Sequence, residues 1–174
     1  DASFEDLIAK GYLTEAVINY IALLGWAPKG EQEIYSLEEL AQEFDISGIS
    51  KSPAIFDPVK LKAINAEYIR RMTPEQFCEY ITPYIRKTVK RDDIDFKVLA
   101  SVLQPRTELY TDIEDLVDFI DVLPEYDNSL YCHKKMKTNE ETSIEALNAI
   151  LPALEALDEW HVEAIHTALF DTIA

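Results

Sequence analysis

The sequence predicts an all-α fold, a multi-helix bundle of two helical subdomains. Three observations carry that expectation. Gly is scarce, at 4 in 174 residues, and alternating apolar–polar runs, the mark of a half-buried strand, are rare. Ser, Thr or Asp followed three residues later by an acid or amide recurs just ahead of apolar runs, as in a capping box. Behind those caps, apolar residues return at spacings of three and four, one face of a helix. A hydrophobic content of 48% suits a packed core and argues against disorder.

Ser3 with Asp6 opens a helix over 4–10 that Gly11 stops. Thr14 caps a second, with Val17, Tyr20, Ile21 and Leu24 as its apolar stripe and Gly25 at its end. Residues 26–30 are a loop. Ser36 with Glu39 opens a third helix through Phe44, and 45–53 leads onward as loop. Asp57 stands at an N-cap position and Pro58 at the first helical position, where a missing N–H costs nothing. Leu61, Ile64, Tyr68 and Met72 then form one apolar face. Thr73, Pro74 and Gln76 mark the next start, and Pro83 predicts an interruption with a restart at Thr82. Asp92-Asp93 begins a helix with Phe96, Leu99, Val102 and Leu103 inward; Pro105 ends it and leaves Arg106 just outside. Thr111 with Glu114 opens another, with Leu116, Val117, Phe119, Ile120 and Leu123 inside and Pro124 at its end. Residues 125–129 are a turn. Thr142 with Glu145 caps a helix through Leu157 that Pro152 bends. Residues 159–174 make the last, with Trp160, Ile165, Leu169 and Ile173 as packing positions. A boundary at Met72–Thr73 divides 1–72 from 73–174.

The formal charge of −17 has the wrong sign for a nucleic-acid binder, but it is unevenly spread. Residues 1–50 carry −8, 51–106 carry +4 and 107–174 carry −13. A basic middle between acidic ends leaves room for a polyanion-facing patch. Lys60, Arg70 and Arg71 fall off the apolar face of the 58–72 helix, where spacing alone reads as a solvated charged face. Arg86, Lys87, Lys90 and Arg91 crowd a helix C-terminus, where positive charge either steadies the helix dipole or meets phosphate. His133-Lys134-Lys135-Met136-Lys137 is an isolated basic cluster.

Two distant cysteines, Cys78 and Cys132, fit a reduced cytosolic protein better than a disulfide scaffold. The chain has no run of about 18 apolar residues and no basic segment leading into an apolar core, so the cytoplasm is the expected compartment and no membrane the expected partner. The start at Asp1-Ala2-Ser3 reads as a chain cut from a longer one. Gly25 and Gly30 have the glycine spacing of a phosphate loop, but Glu31-Gln32 stands where Lys-Ser/Thr is required. His161 and His166 are five apart, on different helix faces, which disfavours a zinc pair. The hydrolase, zincin and calcium-loop patterns are missing. No metal site and no catalytic residue is therefore expected.

Several run-together stretches carry a resemblance. They are Gly11-Tyr12-Leu13, Glu15-Ala16, Asn19-Tyr20, Ala22 to Trp26, Glu33 to Leu40, Ser50 to Asp57 with Lys60-Leu61, Asn65 and Tyr68-Ile69-Arg70, then Leu103-Gln104-Pro105-Arg106 and Lys135 to Asn139. Together they resemble bacterial-type glutamyl-tRNA synthetase over essentially the whole chain. The resemblance implies the helical part that follows the class I catalytic domain: a stem-contact or linker subdomain over 1–72, then an anticodon-binding subdomain over 73–174, truncated at its end. It implies a parent enzyme, a glutamate–tRNA ligase using ATP and Mg, and a fragment without catalysis or cofactor of its own. Ile49-Ser50-Lys51-Ser52 resembles a lysine–serine ATP signature, but the family's own signature is expected ahead of Asp1. The implied partners are glutamate-type tRNA and the catalytic domain of the same polypeptide, with the fragment a monomer. The implied tRNA-binding residues are Arg106, as a base reader, Lys51, Lys60, Arg70 and Arg71, as phosphate contacts or as residues fixing the domain junction, and Lys134, Lys135 and Lys137, as phosphate contacts. A helical protein-interaction module without tRNA binding is the alternative.

Overall fold

The computed structural model describes residues 3–173, and Ile173 lies outside the described side chains. Among these residues there are nine α-helices: α1 Phe4–Ala9, α2 Thr14–Gly25, α3 Leu37–Glu43, α4 Pro58–Arg71, α5 Pro74–Thr88, α6 Phe96–Leu103, α7 Asp112–Leu116, α8 Glu140–Glu155 and α9 Val162–Ile173. Three short 3-10 turns join them, at Ile46–Gly48, Gln104–Arg106 and Asn128–Tyr131. Strand-like pairing among the described residues amounts to two isolated bridges, Trp26 with Ile49 and His133 with Thr138. The expected all-helical fold is what forms. The chain packs as two compact units, Asp1–Leu123 and Pro124–Ala174.

In the first unit the local starts are those the caps demand. Ser3 Oγ accepts from the Asp6 N–H at 3.1 Å, and the Asp6 carboxylate accepts from the Ser3 N–H at 3.0 Å. Ser36 with Glu39 and Thr73 with Gln76 close the same reciprocal box. Asp57 accepts from the Val59 and Lys60 N–H groups, with Pro58 at the first helical position. Each box satisfies donors that the helix itself cannot.

Behind the caps the apolar faces meet in one core drawn from α1, α2 and α4–α7. Val17, Leu61, Ile69, Phe77, Ile81, Ile85, Ile113 and Val117 are completely buried. This core is continuous across Met72–Thr73. Two asparagines are buried within it, each with both its amide oxygen and its amide nitrogen hydrogen-bonded. Asn65 accepts from the Leu13 N–H at 2.8 Å and donates to Glu108 O at 2.6 Å, tying α4 to two distant segments. Asn19 accepts from the Tyr35 N–H at 2.9 Å and the Tyr68 hydroxyl at 3.1 Å, and donates to Glu33 O at 2.8 Å. Trp26, Tyr35 and Leu40 form a smaller core beside the start of α3.

Several expectations are corrected. Thr14 is inside α2; its N-cap is Leu13, which has no capping side chain. Ile21 is solvent-facing, because the buried stripe runs through Ala16, Val17, Asn19 and Tyr20 instead. Helix α5 runs through Pro83 without a break. The carbonyl deprived of its donor there belongs to Glu79, which is exposed and can turn to water, and Pro83 is itself exposed. The Asp92-Asp93 start is displaced to Asp95, whose carboxylate accepts from the Lys97 and Val98 N–H groups; Val102 then faces solvent. Helix α7 is only five residues long. Thr111 does not cap it with its side chain, because its hydroxyl donates to Lys10 O at 2.9 Å, and Phe119 and Leu123 are exposed.

In the second unit, Asn139 rather than Thr142 is the cap of α8. Asn139 Oδ1 accepts from the Thr142 N–H at 2.9 Å, so Thr142 is the third residue of the box rather than the first. The helix continues through Pro152, whose orphaned carbonyl partner, Asn148, is exposed. Trp160 precedes α9 and is exposed, while Ile165 and Leu169 are half-buried. None of the described residues of this unit is fully buried.

Candidate nucleic-acid interface

The Leu103-Gln104-Pro105-Arg106 segment leaves α6 as a 3-10 turn over Gln104–Arg106. Leu103 anchors the turn in the core. Gln104 Nε2 donates to Ile69 O at 2.9 Å and Met72 O at 3.0 Å, satisfying carbonyls at the end of α4. Behind the turn, the buried Thr107 hydroxyl donates to Leu103 O at 2.9 Å, and Asn65 holds Glu108 O. Arg106 thus stands exposed on a turn braced from both sides, with no ion pair or hydrogen bond to its guanidinium among the described residues. A planar, five-donor group on a fixed base is ready-made for a base edge or a phosphate.

The Gln104 clamp brings this turn to the same helix end that carries Arg70 and Arg71. Both arginines lean on one carboxylate: Arg70 Nη2 lies 3.0 Å and Arg71 Nε 3.3 Å from Glu67. Their hydrogen bonds hold the Glu67 carboxyl below its usual range. Lys60, at the start of α4, sits 2.7 Å from Glu33. Lys51 lies exposed in the loop ahead of α4, without an ion pair among the described residues. In the second unit, Lys134, Lys135 and Lys137 are exposed around the tight turn closed by the His133–Thr138 bridge, with Lys137 in the left-handed region at φ 57°. The structure therefore divides the predicted cations in two. Arg106, Lys51, Lys134, Lys135 and Lys137 are unpaired among the described residues, while Lys60, Arg70 and Arg71 are engaged with acids. Exposed pairs of that kind are worth only about 0–1 kcal/mol, so a phosphate can replace the carboxylate at little cost.

The dense basic edge at the end of α5 is a helix-end device. Lys90 Nζ donates to Arg86 O at 2.7 Å and Lys87 O at 2.6 Å. Arg86 meets Asp92 at 3.1 Å, Lys87 meets Glu114 at 2.6 Å and Arg91 meets Asp93 at 2.6 Å. Gln104 and Asn65, which position the arginines, did not stand out as builders of the site. Asn65 carried a usable signal: it is a polar residue four positions after Leu61, on the face meant for the core.

Among the described residues, no His, Cys, Asp and Glu cluster could hold a metal ion. No helix among them is long and apolar enough to cross a membrane. Gly25 ends α2 rather than opening a phosphate-binding loop, and its carbonyl accepts from the Ser50 N–H at 2.9 Å.

Residues 76–174 match the anticodon binding domain family, and residues 3–63 match the catalytic domain of class I tRNA synthetases (E and Q). The chain is 52% identical over 175 residues to a glutamate–tRNA ligase of Clostridium botulinum (strain Eklund 17B), covering 99% of this chain. It is 48% identical over 173 residues to that of Lachnoclostridium phytofermentans, again covering 99% of this chain. It spans only 36% and 35% of those two relatives' lengths. A glutamate tRNA ligase from Elizabethkingia meningosepticum, solved in complex with its amino acid, superposes with a TM-score of 0.76 at 27% identity, covering 95% of this chain and 32% of that one. The synthetase from Elizabethkingia anophelis, at 24% identity over 95% of this chain and 32% of that one, shares the fold with a TM-score of 0.69. With residues 76–174 matched, more than half of its length, the chain belongs to the anticodon binding domain family, and over its whole length it resembles a helical segment of glutamate–tRNA ligases.

Proposed function

We propose that this chain is the tRNA-holding portion of a glutamate–tRNA ligase, with residues 1–72 set against the tRNA stem and 73–174 against the anticodon. The two matched segments end at 63 and begin at 76, on either side of that division. The observation that carries the reading is Arg106: an unpaired guanidinium on a braced turn, inside a segment of the anticodon binding domain family. Arg106 meets or stacks on an unpaired anticodon base. Lys51, Lys60, Arg70 and Arg71 neutralise phosphates or fix the junction between the two parts, and Lys134, Lys135 and Lys137 neutralise phosphates. Lys60, Arg70 and Arg71 exchange Glu33 or Glu67 for phosphate when they do so. Attachment of glutamate to its tRNA with ATP and Mg belongs to the rest of the parent enzyme, in the cytoplasm. The segment over 3–63 contains neither His nor Cys, and no step of that chemistry is assigned to it. The chain acts as a monomer joined to its catalytic domain.

The test is tRNA binding by the chain across a range of salt. Released counterions make log K fall linearly with log salt, by about 0.9 per phosphate contact. Arg71→Ala and Lys135→Ala are each expected to reduce that slope by about one contact. Indifference to tRNA even at low salt would overturn the reading and leave a helical protein-interaction module.

A further inference from the structure

A second group of side chains in the first unit is built around tyrosines. Tyr80 and Tyr84, four residues apart on α5, both pack on Tyr110. The Tyr80 and Tyr110 rings are stacked, with centroids 5.6 Å apart and planes 8° from parallel, and Tyr84 lies 5.7 Å from Tyr110. Tyr110 is buried, and its hydroxyl donates to Met72 Sδ at 3.3 Å. Tyr80 is the outer ring: one face lies on Tyr110 and half of its surface, 50%, is open to solvent. Gly11 makes this arrangement possible. At φ +88° it lets Tyr110 approach so closely that a Cβ would fall 2.9 Å from the Tyr110 nitrogen.

The three tyrosines line a cavity of about 240 Å³ together with Gly11 and with Leu13, Thr14 and Glu15 at the start of α2. That volume lies below the ~300–1,000 Å³ of sites for drug-sized ligands, which favours one small, flat group. The first N–H groups of α2 receive no capping side chain, and Glu15 adds a carboxylate acceptor at the rim. Lys87 sits 4.7 Å over the Tyr84 ring, with its ammonium already paired to Glu114 at 2.6 Å. A half-exposed aromatic ring with backbone donors and a carboxylate acceptor lining the same cavity are the parts of a single-stranded nucleic-acid site.

We infer that Tyr80, backed by Tyr110, is a stacking platform for an unpaired RNA base, separate from the Arg106 turn; the inference rests on the proposed tRNA-holding function. The Glu15 carboxylate suits a base that offers an exocyclic amino group, such as cytosine or adenine, over uracil.

The experiment compares the chain with Tyr80→Phe and Tyr80→Leu for binding to a glutamate-type tRNA transcript at fixed low salt. Stacking predicts that Tyr80→Phe binds within about twofold of the parent, whereas Tyr80→Leu loses about fivefold to a hundredfold. If Tyr80→Leu binds like the parent, or Tyr80→Phe loses as much as Tyr80→Leu, the stacking site is overturned while tRNA holding stands. If the unsubstituted chain fails to bind, the tRNA-holding reading fails and the platform fails with it. Photocrosslinking of the unsubstituted chain to transcripts substituted with 5-iodocytidine or with 8-azidoadenosine, which label the two bases the site favours, gives a second readout that is independent of any folding defect. A crosslink in the peptide carrying Tyr80 supports the site, and crosslinks confined to other peptides overturn it.

Discussion

Asn65 shows how much one side chain can determine. It is completely buried in the middle of α4, and both ends of its amide are used, by Leu13 and by Glu108. Asn65→Ala leaves the buried Leu13 N–H without a partner, at about 1–3 kcal/mol, and breaks the part-buried bond to the Glu108 carbonyl, at about 1 kcal/mol. The expected loss is about 2–4 kcal/mol, read as a lower urea midpoint with the slope unchanged. Gly11→Ala would force a Cβ to within 3 Å of the Thr111 and Tyr110 backbone at a positive φ, and is expected to be at least as costly. Buried phenols set the alkaline limit. Burial pushes the Tyr68 hydroxyl up to about 12, and Tyr110 also rises, again chiefly through burial. The unfolded phenol ionises first, near 10, so the native state holds more protons between about 10 and 12. Stability is full below pH 10 and falls as pH rises through that window. Tyr68→Phe should flatten the fall in a series of urea titrations at increasing pH.

At the level of elements, what could be read from the sequence was what is local. The boxes at Ser3, Ser36 and Thr73 close within four residues, so their spacing sufficed. Thr111 shows the same spacing, but its hydroxyl is claimed by Lys10 O, 101 positions away, a partner no local window contains. Asn139 and Thr142 form one box three residues upstream of the expected one, because two overlapping cap patterns competed. Pro83 misled for a different reason: the ring and the orphaned Glu79 carbonyl both lie at the exposed face of α5, where the helix tolerates the lost bond, and exposure is set by the fold. Arg106 could be singled out in the sequence, yet the Gln104 clamp that holds its turn spans more than thirty residues and needed the fold. Since Pro83 removes a helix bond at an exposed position, Pro83→Ala is expected to stabilise α5. The gain is about 2 kcal/mol, the interior-helix penalty of proline less its stiffening of the unfolded chain. A thermal or urea melt measures it directly.

Across the whole molecule, the net charge of −17 conceals a stretch whose cations are mostly already answered by acids. The few unpaired ones, Arg106 above all, are therefore more informative than the total. The two units also differ in kind: the first has a continuous buried core, while none of the described residues of the second is fully buried. Amide exchange should be slow in α4 and α5 and faster by orders of magnitude in α8 and α9, as low local burial requires. The most direct test of the central claim is the affinity of the chain and its Arg106→Ala variant for two tRNA transcripts, one of glutamate type and one differing only in its anticodon. The account predicts that Arg106→Ala loses about five- to a hundredfold with the glutamate anticodon and little with the exchanged one; an equal loss with both, or none with either, would contradict it.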